Sequence, residues 1–131
     1  MIVDASAIIA ILRDEPERAE FNRTIERARS RRVSAVNYVE AAVVMDASRS
    51  PIASRKLDDF VREGSFAIEP VTEQQARIAR EAYRDFGKGS GHRAGLNFGD
   101  CFAYALAKAT GETLLYKGND FRHTDIKPAE G

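Results

Sequence analysis

The chain opens "MIVDASAIIAIL", a run that is apolar except for Asp4 and Ser6, with no basic residue nearer to Asp4 than Arg13. Such a run folds stably only if it is buried, and burial takes Asp4 with it. An unpaired charge in a protein interior is costly, so the carboxylate needs hydrogen-bond donors or a cation. "MIV" reads as a short buried strand ending at Asp4, and "SAIIAIL" as a helix starting directly after it. The run is too short to span a membrane, and it lacks the basic region and small-residue cleavage site of a leader. It therefore belongs to the core, which points to a cytoplasmic chain without a membrane partner.

The rest of the chain alternates strands with helices. "RDEPERAEFNRTIERARS" carries a second helix with Pro16 in its first turn, where a missing N–H costs nothing. "RRVSAV" reads as strand two, with the helix "NYVEAAVVMDAS" after it. Ser50, Pro51 and Gly64 bound a helix over "SPIASRKLDDFVREG". "FAIEPV" is strand three, and Thr72 with Gln75 has the spacing of a capping box for "EQQARIAREAYRDF". A glycine-rich loop, "GKGSGHRAGL", leads into the helix "NFGDCFAYALAKAT", closed by Gly111. "TLLYK" and "TDIKP" read as two last strands. This alternation predicts helices packed on a central, mainly parallel sheet, and 131 residues suit a single domain spanning 1–131.

Four acids fall where such folds bind ligands, beyond the carboxyl ends of the strands. Asp4 ends strand one, and Glu40 is expected in the first turn of the helix after strand two. Asp100 stands three residues after the helix cap Asn97, and Asp120 follows "TLLYK". Helix N-termini favour negative charge and would hold Glu40 and Asp100 ionised. Oxygen donors without His or Cys partners point to Mg²⁺, with Mn²⁺ as a substitute, rather than to zinc. Each acid also has a purely structural role open to it: Asp4 as a helix cap, Glu40 as an ordinary helix residue, Asp100 as half of a capping box, Asp120 as a turn residue. Their joint position at strand ends favours the metal site.

The stretches "MIVDASAIIAIL", "SAVNYVEAAVV", "LNFGDCFAYALAKATGETLLYKGNDF" and "TDI" closely resemble VapC-type toxins of the PIN-domain ribonuclease family. The resemblance runs over nearly the whole chain. It implies a three-layer α/β/α fold, Mg²⁺-dependent cleavage of RNA, a homodimer, and neutralisation by a VapB-type antitoxin. It also implies a catalytic set of Asp4, Glu40 and Asp100, with Asp4 and Asp100 as metal ligands and Ser6 as a supporting hydroxyl. Many relatives carry a further Asp where this chain has Asn119. That leaves Asp120 as the acid for the fourth corner and Asn119 as a neutral oxygen.

The net charge is zero, with 20 basic and 20 acidic side chains, so the bulk composition attracts no polyanion. An acidic pocket repels RNA, and Lys88, His92, Arg93 and Lys117 are the residues available to ring it. The lone Cys101 excludes an internal disulfide and reads as a packing residue. "DFG" at 85–87 lacks the other kinase signatures, and "GKGSGHRAG" does not fit a phosphate-binding P-loop. Two alternatives stand beside the ribonuclease. A phosphatase-like metal hydrolase would want a second Asp at position 6, where this chain has Ser6. A non-catalytic nucleic-acid-binding module would not need all of Asp4, Glu40 and Asp100.

Overall fold

A computed structural model describes residues 1–130; Gly131, the last residue of the expected domain, lies outside the described residues. Four strands form the centre: β1 (Ile2–Val3), β2 (Arg32–Ser34), β3 (Ala67–Glu69) and β4 (Leu114–Leu115), in the order β3-β2-β1-β4 and all parallel. The helices are α1 (Ala5–Leu12), α2 (Arg18–Arg27), α3 (Ala35–Ala47), α4 (Pro51–Glu63), α5 (Glu73–Phe86) and α6 (Phe98–Thr110), followed by a 3-10 turn at Asp120–His123.

Strand alternation splits the apolar residues into two cores. Ile2 and Leu114 face α5 and α6, where they pack with Ala79, Leu96 and Leu106. Val3, Val33 and Leu115 face the other way, onto Ile8 and Ile11 of α1, Phe21 of α2, Met45 of α3 and Leu57 of α4. The result is the expected three-layer α/β/α sandwich. Among the described residues no helix is long and apolar enough to cross a membrane.

Local signals explain most element ends. Asn97 and Asp100 form a complete capping box at α6, and Gly111 closes that helix in the left-handed conformation, φ 70°. Ser50 caps α4, with Pro51 in its first turn and Gly64 at its end.

Several boundaries differ from expectation, each for a visible reason. Pro16 sits in the turn before α2, which starts at Arg18 without a side-chain cap. Ser34 accepts from the Val36 N–H and caps α3, so that helix starts inside "RRVSAV", two residues earlier than expected. Thr72 does accept from the Gln75 N–H, but the reciprocal half of the box is not formed, and the buried Gln75 Oε1 has no partner. "TDIKP" supplies only a single bridge, from Pro128 to Leu114, instead of a strand.

Ile8 is fully buried at the centre of the α1–α4 core. Ile8→Ala is expected to lower the unfolding free energy by about 2–5 kcal/mol, read from urea denaturation followed by circular dichroism. A wild-type midpoint with an unchanged slope would remove Ile8 from the core.

Candidate active site

Asp4 belongs to the sheet and to a helix at once. Its backbone N–H donates to the Leu115 carbonyl at 2.9 Å, which keeps the residue in the β1–β4 ladder. Its carboxylate accepts from the Ser6 N–H at 3.0 Å and so caps α1. The side chain is only 4 % exposed. Burial raises its pKa; the Ser6 and Ala5 hydrogen bonds oppose the rise, and the charge of Asp120 adds to it.

Ser6 reaches the last piece of the site. Its hydroxyl oxygen accepts from the Lys117 N–H at 3.0 Å, which ties the first turn of α1 to the segment after β4. Gly118 then turns the chain at φ 100°, a conformation that favours glycine. Asn119 and Asp120 follow, both exposed. The Asn119 side-chain oxygen accepts from Arg122 at 3.3 Å, so this neutral oxygen is already engaged.

Glu40 lies in the second turn of α3, because Ser34 starts that helix early. The helix N-terminus therefore does not hold its charge. Its partner is Asn37, one turn earlier, whose Nδ2 donates to Glu40 Oε1 at 2.7 Å. Burial raises the Glu40 pKa, the Asn37 bond opposes this, and Asp4 adds to the rise. Asp100 does occupy the first turn of α6, where its carboxylate accepts from the Asn97 N–H. Even so, burial, followed by the charges of Asp4, Asp120 and Glu40, pushes its pKa up to about 7 against that bond. Contrary to expectation, Glu40 is thus not at a helix N-terminus, and at Asp100, which is, burial still raises the pKa against the helix terminus.

Asp4, Glu40 and Asp100 line one cleft of about 820 Å³ at the carboxyl edge of the sheet. Asp120 is not among its lining residues, yet its charge is felt at Asp4 and Asp100. Much of the remaining wall is apolar, with Val36, Val39 and Val43 of α3 opposite Phe98 of α6. Phe98 is 71 % exposed.

No Lys, Arg or His lines the cleft among the described residues. The Lys117 ammonium pairs with Glu15 at 2.9 Å and Glu17 at 3.4 Å. His92 packs its ring edge against Phe86 and accepts from the Ala94 N–H, while Lys88 and Arg93 are exposed on the same loop. The bridge between Gly87 and Leu96 closes that loop.

Among the described residues no three Asp, Glu, His or Cys side chains gather tightly enough to enclose a metal ion unaided. What the cleft offers is a set of oxygen donors whose pKa values are raised first by burial, with the charge of Asp4 adding to the rise at Glu40 and Asp100. That chemistry fits a hard divalent cation, which would offset the repulsion. Asp4 and Asp100 are each held by a main-chain N–H, from Ser6 and Asn97, and Glu40 by the Asn37 amide.

Two residues of this site carried no functional expectation. Asn37, read only as the start of a helix, is fully buried and holds Glu40. Gly99 lies against the Glu40 carboxylate. The "N-x-x-E" spacing, one helical turn, was the available signal for the first; the second depends on a contact between distant segments.

Known proteins share this architecture. A PIN-domain family model matches residues 1–127. Ribonuclease VapC28 of Mycobacterium tuberculosis is 57% identical over 129 residues, spanning 98% of this chain and 97% of its own. The crystal structure of Mycobacterium tuberculosis VapC20, a sarcin–ricin loop cleaving toxin, superposes with a TM-score of 0.77 at 14% identity over 99% of this chain and 98% of that one. A toxin–antitoxin complex from Klebsiella pneumoniae contains a chain matching at 0.67 and 16% identity, over 92% and 88% of the two chains. The structural matches carry the fold, and the sequence matches carry the lineage. The chain belongs to the PIN-domain family, among the VapC ribonucleases.

Proposed function

We propose that this chain is the toxic ribonuclease of a toxin–antitoxin pair, hydrolysing RNA phosphodiesters in the cytoplasm with Mg²⁺ or Mn²⁺ held by Asp4 and Asp100. The observation that carries this reading is the meeting of Asp4, Glu40 and Asp100, from three separate elements, in one cleft where each has a raised pKa. Fold stability alone would not select such mutual repulsion.

When bound, the cation acidifies water and neutralises charge developing on the scissile phosphate. The chain supplies the remaining parts. Asp4 and Asp100 present oxygens whose positions are set by the Ser6 and Asn97 N–H groups. Glu40 takes up the proton of the attacking water or holds the cation through water. Asp120 and Asn119 sit at the rim with a weaker role, and Ser6 supports them by fixing the Lys117 backbone. Lys88, His92, Arg93 and Lys117, all outside the cleft wall, are the proposed RNA contacts.

The cleft's two characters suit an inhibitor as well. A segment of a VapB-type antitoxin would lay apolar side chains on Val39, Val43 and Phe98 and set a basic side chain among the carboxylates, displacing cation and RNA together. A homodimer completes the proposed assembly.

RNA cleavage is expected to stop in EDTA and return with Mg²⁺ or Mn²⁺. Asp4→Asn and Asp100→Asn should abolish it at saturating metal without loss of fold, Glu40→Gln should be nearly as severe, and Asp120→Asn milder. Full cleavage in EDTA by nuclease-free protein, or wild-type rates for Asp4→Asn, would refute the metal assignment.

The raised pKa values also fix a sign. Folded Asp4, Glu40 and Asp100 hold their protons more tightly than the unfolded chain, whose carboxyls titrate near about pH 4. From there up to about 7, where Asp100 titrates, metal-free stability falls as the pH rises. The melting temperature in EDTA is expected to be higher at about pH 5 than at about pH 7, with a smaller difference in Asp100→Asn or when Mg²⁺ is added at the higher pH. The same pH slope in Asp100→Asn as in wild type would contradict this account.

For the antitoxin, co-expression is expected to abolish toxicity, and the co-purified complex to show no EDTA-sensitive RNA cleavage. A complex that leaves the carboxylates open to solvent would rule out this mode of inhibition.

A further inference from the structure

Asn37 is fully buried in the first turn of α3, and a buried side-chain amide must be satisfied. Its Nδ2 donates to Glu40 Oε1 at 2.7 Å and to the Gly99 carbonyl of α6 at 3.0 Å. Its own Oδ1 is buried without a partner. The amide orientation follows from this arrangement: reversing it would set an acceptor against two acceptors. The carbonyl has given up its hydration so that the NH₂ group can span α3 and α6.

Gly99 completes the arrangement. It lies within the first turn of α6 in ordinary helical backbone, so its lack of a side chain is not needed for a left-handed conformation. A Cβ at this position would overlap the Glu40 carboxylate carbon and both of its oxygens. Glycine weakens a helix interior, and here it makes room for the acid beside Asp100.

We propose that Asn37 and Gly99 form a latch that sets the position of the Glu40 carboxylate relative to Asp100, making Asn37 a positioning residue for phosphodiester hydrolysis. This rests on the ribonuclease reading above. A neutral amide is well suited to this role, because it orients the carboxylate without cancelling its charge, whereas Lys or Arg would compete with the cation. The latch also joins α3 to α6, the helices that carry Glu40 and Asp100.

The test uses Gly99→Ala and Asn37→Leu, each in wild-type and Glu40→Asp backgrounds. Readouts are kcat and KM on a mixed-sequence fluorogenic RNA at saturating Mn²⁺, the melting temperature, and the Glu40 carboxyl-carbon resonance. Because the Glu40 carboxylate is the flexible end of a side chain, Gly99→Ala should fold and simply push it aside. A fall in kcat of roughly tenfold to a hundredfold is expected, with KM little changed. Glu40→Asp draws the carboxylate back by one methylene, so Gly99→Ala should cost much less in that background. Equal costs in both backgrounds, or a Glu40 carboxyl signal that Gly99→Ala and Asn37→Leu leave unmoved, would overturn the latch. A wild-type protein inactive on RNA would instead refute the ribonuclease reading, and the carboxyl signal alone would then decide whether the latch exists.

Discussion

Everything at the carboxyl edge of the sheet depends on how Asp4 is held. Its N–H is committed to β4 and its carboxylate to the first turn of α1, so the residue has little freedom in position or direction. Burial makes its charge unfavourable, and two further acids crowd the same cleft. A fold stable enough to carry that repulsion needs the two cores on either side of the sheet, built from the alternating side chains of strands only two or three residues long.

Local signals in the sequence explain why some of the site was legible. Asp4 stood out as the only charge in an apolar run, and Asn97 with Asp100 followed a spacing whose hydrogen bonds are complete within three residues. The layers were readable from alternating strand and helix patterns. Glu40 was located on the right helix but in the wrong turn, because the small side chain of Ser34 could equally end a strand or start a helix. "TDIKP" has the composition of a strand, yet only Pro128 finds a sheet partner. Gln75 has the spacing of a capping residue, yet its side chain is drawn into the interior instead.

What stayed hidden depends on distance along the chain. Asn37 and Gly99 meet across 62 residues, and nothing local to either announces the contact. The same holds for the tie between Ser6 and Lys117, which gives that hydroxyl a backbone partner in the segment after β4. The apolar wall of Val39, Val43 and Phe98 was equally unreadable: these residues look like core in a helical pattern and are instead exposed beside the acids.

The strand order has a consequence in time. β1 is made early, but its neighbour on one side is β4, and Ser6 waits for a partner 111 residues further along. Parallel neighbours so far apart in sequence close late, because the intervening loop entropy must be overcome first. A ribosome making this chain therefore holds Asp4 long before Asp100 and the β4 segment have emerged. Translation itself thus delays the meeting of Asp4 with Asp100 and the β4 segment.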